Sequence, residues 1–242
     1  MSESRVIPTG AKGHIGFRLI TLLFAIVLGA QSFWLVLAQI LQPGINRLPI
    51  DATAAAAAAD RRGAAATAAW LGAIRGDLWA QSAFSYADLL FDKTAASVDA
   101  DVTKSSALAR KSLGHALMNA PHQSGAWLFL AGLSLRDSSS SAAAVTEFLK
   151  MSYYTGPSEE HLIPVRLRMA LQSDSFNDVE MRQFIVRDLR VLLARQQRAT
   201  IAQVYSAASP AGRHFVEQTV RDVDPSMLNS LTTDAHRHSL PD

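Results

Sequence analysis

Residues 124–156, SGAWLFLAGLSLRDSSSSAAAVTEFLKMSYYTG, read as two apolar helical stretches held apart by the serines Ser138–Ser141. Trp127-x2-Leu130-Ala131-x2-Ser134 repeats at three- and four-residue steps, which puts these side chains on one helix face. After the serines, Ala144-x3-Phe148-x2-Met151-x4-Gly156 does the same. One unit earlier, Ala109-x3-Leu113-x2-Ala116-x4-Pro121 has the spacing of that second helix. Ala109 to Ala144 and Pro121 to Gly156 are both separations of 35 residues. A helix pair recurring at a fixed period predicts stacked antiparallel helices, because one pair cannot bury its apolar face alone.

On these residues the chain resembles a tetratricopeptide array, whose units carry a Trp/Leu/Gly/Tyr first helix and an Ala/Phe/Ala/Pro second helix. Small residues let the two helices approach, a bulky one fills the groove, and proline stops the second helix. Upstream, Trp79-x2-Ser82-Ala83-x2-Tyr86 fits a first helix, with Lys93–Thr103 as an oversized turn. Downstream, Leu162-x2-Val165-Arg166-x2-Met169 lies 35 residues after Trp127, with Arg166 in place of the small residue. Pro164 predicts that this helix starts late or kinks. Residues 77–172 thus resemble two and a half degenerate repeats, with helices at 52–75 and 178–231 as caps. An irregular helical bundle is the alternative reading of the same pattern.

Cap signals extend the helical reading over 52–231. Asp51 caps a helix running through Ala54–Ala59 to about Arg75, and Gly76-Asp77 ends it and caps the next. Asn177 with Glu180 has capping-box spacing before Met181–Arg195. Ser209-Pro210 and Asp224-Pro225 each place a capping side chain before a proline at the first helical position. Gly156-Pro157-Ser158 is a connection. Few stretches alternate with period two, so the expected class is all-α.

Toward the N-terminus, Leu19–Leu41 (LITLLFAIVLGAQSFWLVLAQIL) contains no charged residue. At about 1.5 Å per residue it spans roughly 34 Å, enough for a hydrocarbon core of about 30 Å. Arg5, Lys12 and Arg18 precede it, and Leu28-Gly29-Ala30 would suit signal cleavage, but the apolar run outlasts a signal peptide. A retained anchor is the expectation. The basic residues before it, against Arg47 alone before Arg61, place the N-terminus in the cytoplasm and the large domain outside, the periplasm in a bacterium. The expected organisation is a cytoplasmic tail at 1–18, a transmembrane helix at 19–41, a linker at 42–51, a helical domain at 52–231 and a flexible tail at 232–242. Arg18 can snorkel to headgroups. Gln31, Ser32 and Gln39 could bond a neighbouring span, although isolated polar residues are commonly tolerated.

Thr9-Gly10-Ala11-Lys12-Gly13-His14-Ile15-Gly16 imitates a dinucleotide fingerprint. No buried strand precedes it and an apolar span follows, so it reads as a flexible, glycine-rich lead-in. The chain carries 23 Lys plus Arg against 21 Asp plus Glu. Beyond residue 41 the two signs balance, which argues against a nucleic-acid partner. Cysteine is absent, excluding disulfides and cysteine-ligated metals. The seven histidines form no H-E-x-x-H pair, and His236-Arg237-His238 lies in the polar tail. Glu159-Glu160 opens a helix, where carboxylates favour the dipole. Neither a nucleophile elbow nor a phosphate-binding loop is present. Neither catalytic residue nor cofactor nor metal is expected.

Two surfaces remain as candidates. The tetratricopeptide resemblance implies a concave groove lined by Asp77, Phe84, Leu128, Leu135, Glu160 and Leu167, filled either by a helix of this chain within Thr53–Arg75 or by a partner. Arg182, Arg187, Arg190, Arg195 and Arg198 alternate with apolar residues on one expected helix, a solvated amphipathic face or a surface for anionic lipid. The layout resembles anchored helical-repeat proteins that accompany surface-polysaccharide synthesis and export. The expected role is a non-catalytic adaptor with protein partners at the inner membrane. An accessory subunit of a multi-span complex is the alternative, with an envelope enzyme behind it.

Overall fold

The computed structural model describes residues 11–91, 100–137, 139–223 and 225, with side chains from residue 16 onward. Eleven α-helices and short 3-10 turns cover most of the described residues, and no strand occurs among them. The elements run α1 (Ala11–Ile40), α2 (Ala52–Ala59), α3 (Arg62–Leu71), α4 (Gly76–Phe84), α5 (Ala100–Asn119), α6 (Ser124–Arg136), α7 (Ala142–Thr155), α8 (Ile163–Gln172), α9 (Val179–Ala194), α10 (Arg198–Ala207) and α11 (Pro210–Val223). The all-α expectation holds.

Helix α1 is one continuous 30-residue element. Its stretch Gly16–Ile40 is long and apolar enough to cross a membrane and is covered by almost nothing in the protein. Residues 11–16 are helical, so over that part the expected lead-in is the first turns of α1. The basic residue Arg5 and the start of the glycine pattern lie outside the described residues.

The domain is built from helix hairpins. Gly76, first in α4, lies against the end of α5, since a Cβ there would approach the Ala116 carbonyl to 2.8 Å. Ser124, first in α6, meets Gly156 after α7, where a Cβ would come within 2.6 Å of its Oγ. Each pair is therefore antiparallel, and its closest approach requires glycine. Ser141 caps α7 by accepting from the Ala144 N–H at 3.2 Å. One large core joins α2 and the α4–α11 region around Phe84, Phe129, Leu149, Tyr153, Leu167 and Ile185.

Several boundaries differ from expectation. The helix predicted over 52–75 is two helices. Asp51 caps α2 as expected, accepting from the Ala54 N–H at 2.7 Å, but the chain breaks at Asp60-Arg61. Arg62 is drawn to the turn after α4, where it donates to the Ser85 carbonyl, pairs with Asp88 and lies 4.7 Å from the Tyr86 ring centroid. Helix α4 starts at Gly76 after an extended Arg75, with Asp77 in its first turn rather than at its cap. The cap of α9 is Asp178, not Asn177, and it accepts from the Glu180 and Met181 N–H groups. Gln196, at φ 55°, separates α9 from α10, so Arg182, Arg187 and Arg190 lie on α9, Arg195 caps its C-terminal end and Arg198 opens α10. Helix α8 does start late, with Pro164 in its first turn behind a 3-10 turn at Glu160–Leu162. Ser209 caps α11 through the Gly212 N–H at 3.0 Å. Asp224, the residues 93–99 of the expected oversized turn, and the tail at 232–242 lie outside the described residues.

Candidate functional site

The C-terminal end of α1 is fastened to the domain. Ala38 is buried against Ala68, Ala69 and Leu78, small residues that let α1 lie close to α3. The Trp34 indole N–H donates to the Leu71 carbonyl at 2.8 Å, and Arg75 donates to Gln39 Oε1 at 3.1 Å. Gln39 also donates to Gln42 Oε1 at 2.6 Å, so it is committed within this chain, whereas Gln31 and Ser32 are exposed. The segment expected as a linker packs onto the domain. Ile45, Leu48 and Pro49 are buried, and Arg61 donates to the Pro43 carbonyl at 2.8 Å.

The six groove candidates do not share one surface. Phe84, Leu128 and Leu167 are core residues, and Leu135 sits half-buried at the core edge. Their apolar row is filled by this chain: Phe84 meets Phe129 with ring centroids 6.5 Å apart, and Leu48 with Ala55 and Ala58 of α2 joins the same cluster. Asp77 is paired with Arg75 at 2.6 Å. Burial opposes its ionisation, but the hydrogen bond and charge of Arg75 outweigh burial and hold the carboxyl below its ordinary range. Glu160 is exposed and paired with Arg195, a bridge from the start of α8 to the end of α9.

Beside the packed segment 44–51 two adjoining clefts open, with volumes of about 780 and 530 Å³. Asn46, Arg47, Leu48 and His161 line both. Burial lowers the His161 pKa, and Arg47 and Arg166 reinforce this against the opposing charge of Glu159. The imidazole is therefore held neutral near pH 7. The two walls together carry His161, Arg47, Arg61, Asp51, Glu159 and Glu160, a mixed-charge lining.

Of the arginine candidates, Arg182 donates to the Phe176 carbonyl at 3.1 Å and Arg195 is held by Glu160. Arg187 lies over the Phe184 and Tyr153 rings, 5.5 and 5.6 Å from their centroids. Arg190 is exposed beside Val186 and Val191, along a shallow apolar strip of α9.

Arg166, which the sequence marks only as a departure from the small-residue pattern, is the largest fully buried side chain among the described residues. Arg166, 1% exposed, donates from Nη2 to the Ser152 carbonyl at 2.6 Å and the Gly156 carbonyl at 3.0 Å, and from Nε to Ser152 Oγ. Both carbonyls also accept a backbone N–H, Ser152 from Gly156 and Gly156 from Glu159, so the guanidinium adds a second donor at the end of α7 and meets the negative pole of that helix. Arg166 also lies 4.6 Å from the Tyr153 ring centroid. The Tyr153 hydroxyl donates to Asp188 Oδ2 at 2.8 Å, and Arg187 reaches Asp188 Oδ1 at 3.4 Å. Burial raises the Asp188 pKa despite both arginines, and burial together with Asp188 raises that of Tyr153. The signal was present in the sequence: Asp188 stands in the apolar register of Met181, Ile185 and Leu192, where a carboxylate requires partners.

Among the described residues no three His, Asp or Glu side chains group to hold a metal. None of the known protein families, characterised proteins or solved structures compared with this chain matches it. The chain is an all-helical protein whose N-terminal helix is long and apolar enough to cross a membrane.

Proposed function

We propose that this protein is a membrane-anchored, tetratricopeptide-like adaptor that works without catalysis, holding a protein partner at the outer face of a bacterial inner membrane. Partners in surface-polysaccharide synthesis or export fit the layout best. One observation carries the repeat reading. Trp79 and Trp127 occupy the same place, fourth in α4 and fourth in α6, and each donates its indole N–H six residues back, to the Ala73 carbonyl at 2.9 Å and the Pro121 carbonyl at 2.8 Å. Each also stacks on the following helix, Trp79 on His115 and Trp127 on Phe148. Because the inner row is filled by this chain, the partner surface in this reading is the clefts along 44–51 and His161.

Affinity purification of the full chain in mild detergent tests the reading. Recovery of a defined envelope assembly, lost on Arg47→Glu with His161→Glu, supports it. Repeated recovery of the protein alone counts against it. The exposed Gln31 and Ser32 favour a second reading, an accessory subunit packed on other spans. There Gln31→Leu would release the partner while the cleft substitutions would not.

A further inference from the structure

We propose that the end of α3 and its following turn form a collar that sits in the lipid interface beside the anchor, with Trp70 and Ile74 entering the bilayer next to α1. The inference rests on the reading that α1 spans a membrane. Trp70 is 70% exposed and Ile74 is 85% exposed, four residues apart and flanking Leu71. Leu71 is the residue whose carbonyl takes the Trp34 indole, so this apolar pair is continuous with the lipid-facing surface of α1. Trp34 is itself 48% exposed, which sets two tryptophans at one level, the side chain most enriched where hydrocarbon meets headgroups.

Helix length agrees. Gly16 to Trp34 covers roughly 27 Å at about 1.5 Å per residue, close to one hydrocarbon thickness of about 30 Å. The last turns of α1 are then free for the domain, and Ala38 and Gln39 are indeed occupied there. Part of the turn's backbone is already paired. Lipid penalises any unpaired carbonyl, and in this turn Leu71, Gly72 and Ala73 accept from Trp34, the Arg75 N–H and the Trp79 indole.

The natural absence of cysteine permits a clean test. Single substitutions Leu28→Cys, Trp70→Cys, Ile74→Cys and Val179→Cys are made in the full chain, labelled with an environment-sensitive fluorophore and reconstituted in phosphatidylcholine vesicles. The vesicles carry nitroxide lipids with the spin label near the headgroup or near the chain end. Val179 is a remote, 72% exposed reference. Labels at 70 and 74 are expected to emit blue-shifted, to be quenched more by the shallow nitroxide than the deep one, and to have formed severalfold more slowly with a water-soluble maleimide than the label at 179. The label at 28 is expected to prefer the deep nitroxide. Aqueous behaviour at 70 and 74 with the label at 28 quenched overturns the collar and leaves the span standing. Aqueous behaviour at 28 removes the span, and the collar with it.

Discussion

The two ends of the domain join helices by opposite means. At the α1 end, α1 meets α3 through Ala38, Ala68 and Ala69, with little side chain between the backbones. At the far end, α7, α8 and α9 meet through Tyr153, Arg166 and Asp188, long polar groups buried among apolar ones. Small-residue packing needs no solvent-driven collapse and works at a lipid boundary, where the hydrophobic effect between helices vanishes. The polar cluster depends on complete pairing, because a buried charge left alone is costly. One joint tolerates loss of detail and resents added bulk. The other tolerates neither.

The largest expected effect breaks the polar joint. Arg166→Ala should lower stability by about 3–5 kcal/mol, since it empties a buried site, removes three hydrogen bonds at the end of α7 and takes away a positive charge near Asp188. Denaturant unfolding of the full chain in detergent, followed by circular dichroism, measures it. Ala68→Leu should break the small-residue joint, costing about 1–3 kcal/mol by overpacking. Loss of protection at Trp34 and Leu71 by hydrogen exchange, with the distal helices unchanged, would be its signature. Asp178→Ala removes the α9 cap and the partner of Lys150, which lies at 2.8 Å, and should cost about 1–2 kcal/mol.

The smallest effect is a pH dependence at His161, between the two joints. Its pKa is lowered in the fold, so the unfolded chain binds the proton more readily. Stability should be intact above the ordinary histidine value near 6.5 and fall as pH drops through it. His161→Gln should flatten that acid limb in thermal melts across pH. An unchanged limb would assign the acid sensitivity elsewhere.

Local chemistry was legible before the fold was known. Asp51, Ser209 and Pro164 act where a capping side chain or a missing N–H dictates. The break after α2 was hidden because an alanine run has uniform helix propensity, and its end is set by Arg62 reaching residues more than twenty positions away. The cap of α9 slipped from Asn177 to Asp178 because two adjacent residues could each cap and only packing chooses. The apolar pattern of Phe84, Leu128 and Leu167 gave their shared burial but not its occupant, since Leu48 and Ala55 arrive from a segment with weak periodicity of its own. Arg166 was visible only as a departure from a pattern. Its role depends on where α7 ends.

In the proposed membrane-anchored reading, the fastening of α1 to α3 makes the span a lever rather than a leash. A flexible tether would let the domain keep its posture whatever the span does. Here Trp34, Ala38 and Gln39 transmit the angle of the helix directly to the body above it. A span that tilts to match a thinner bilayer, by the roughly 20° common for such helices, must swing the whole domain through the same arc. In that reading, bilayer thickness becomes a setting for the height and heading of the clefts.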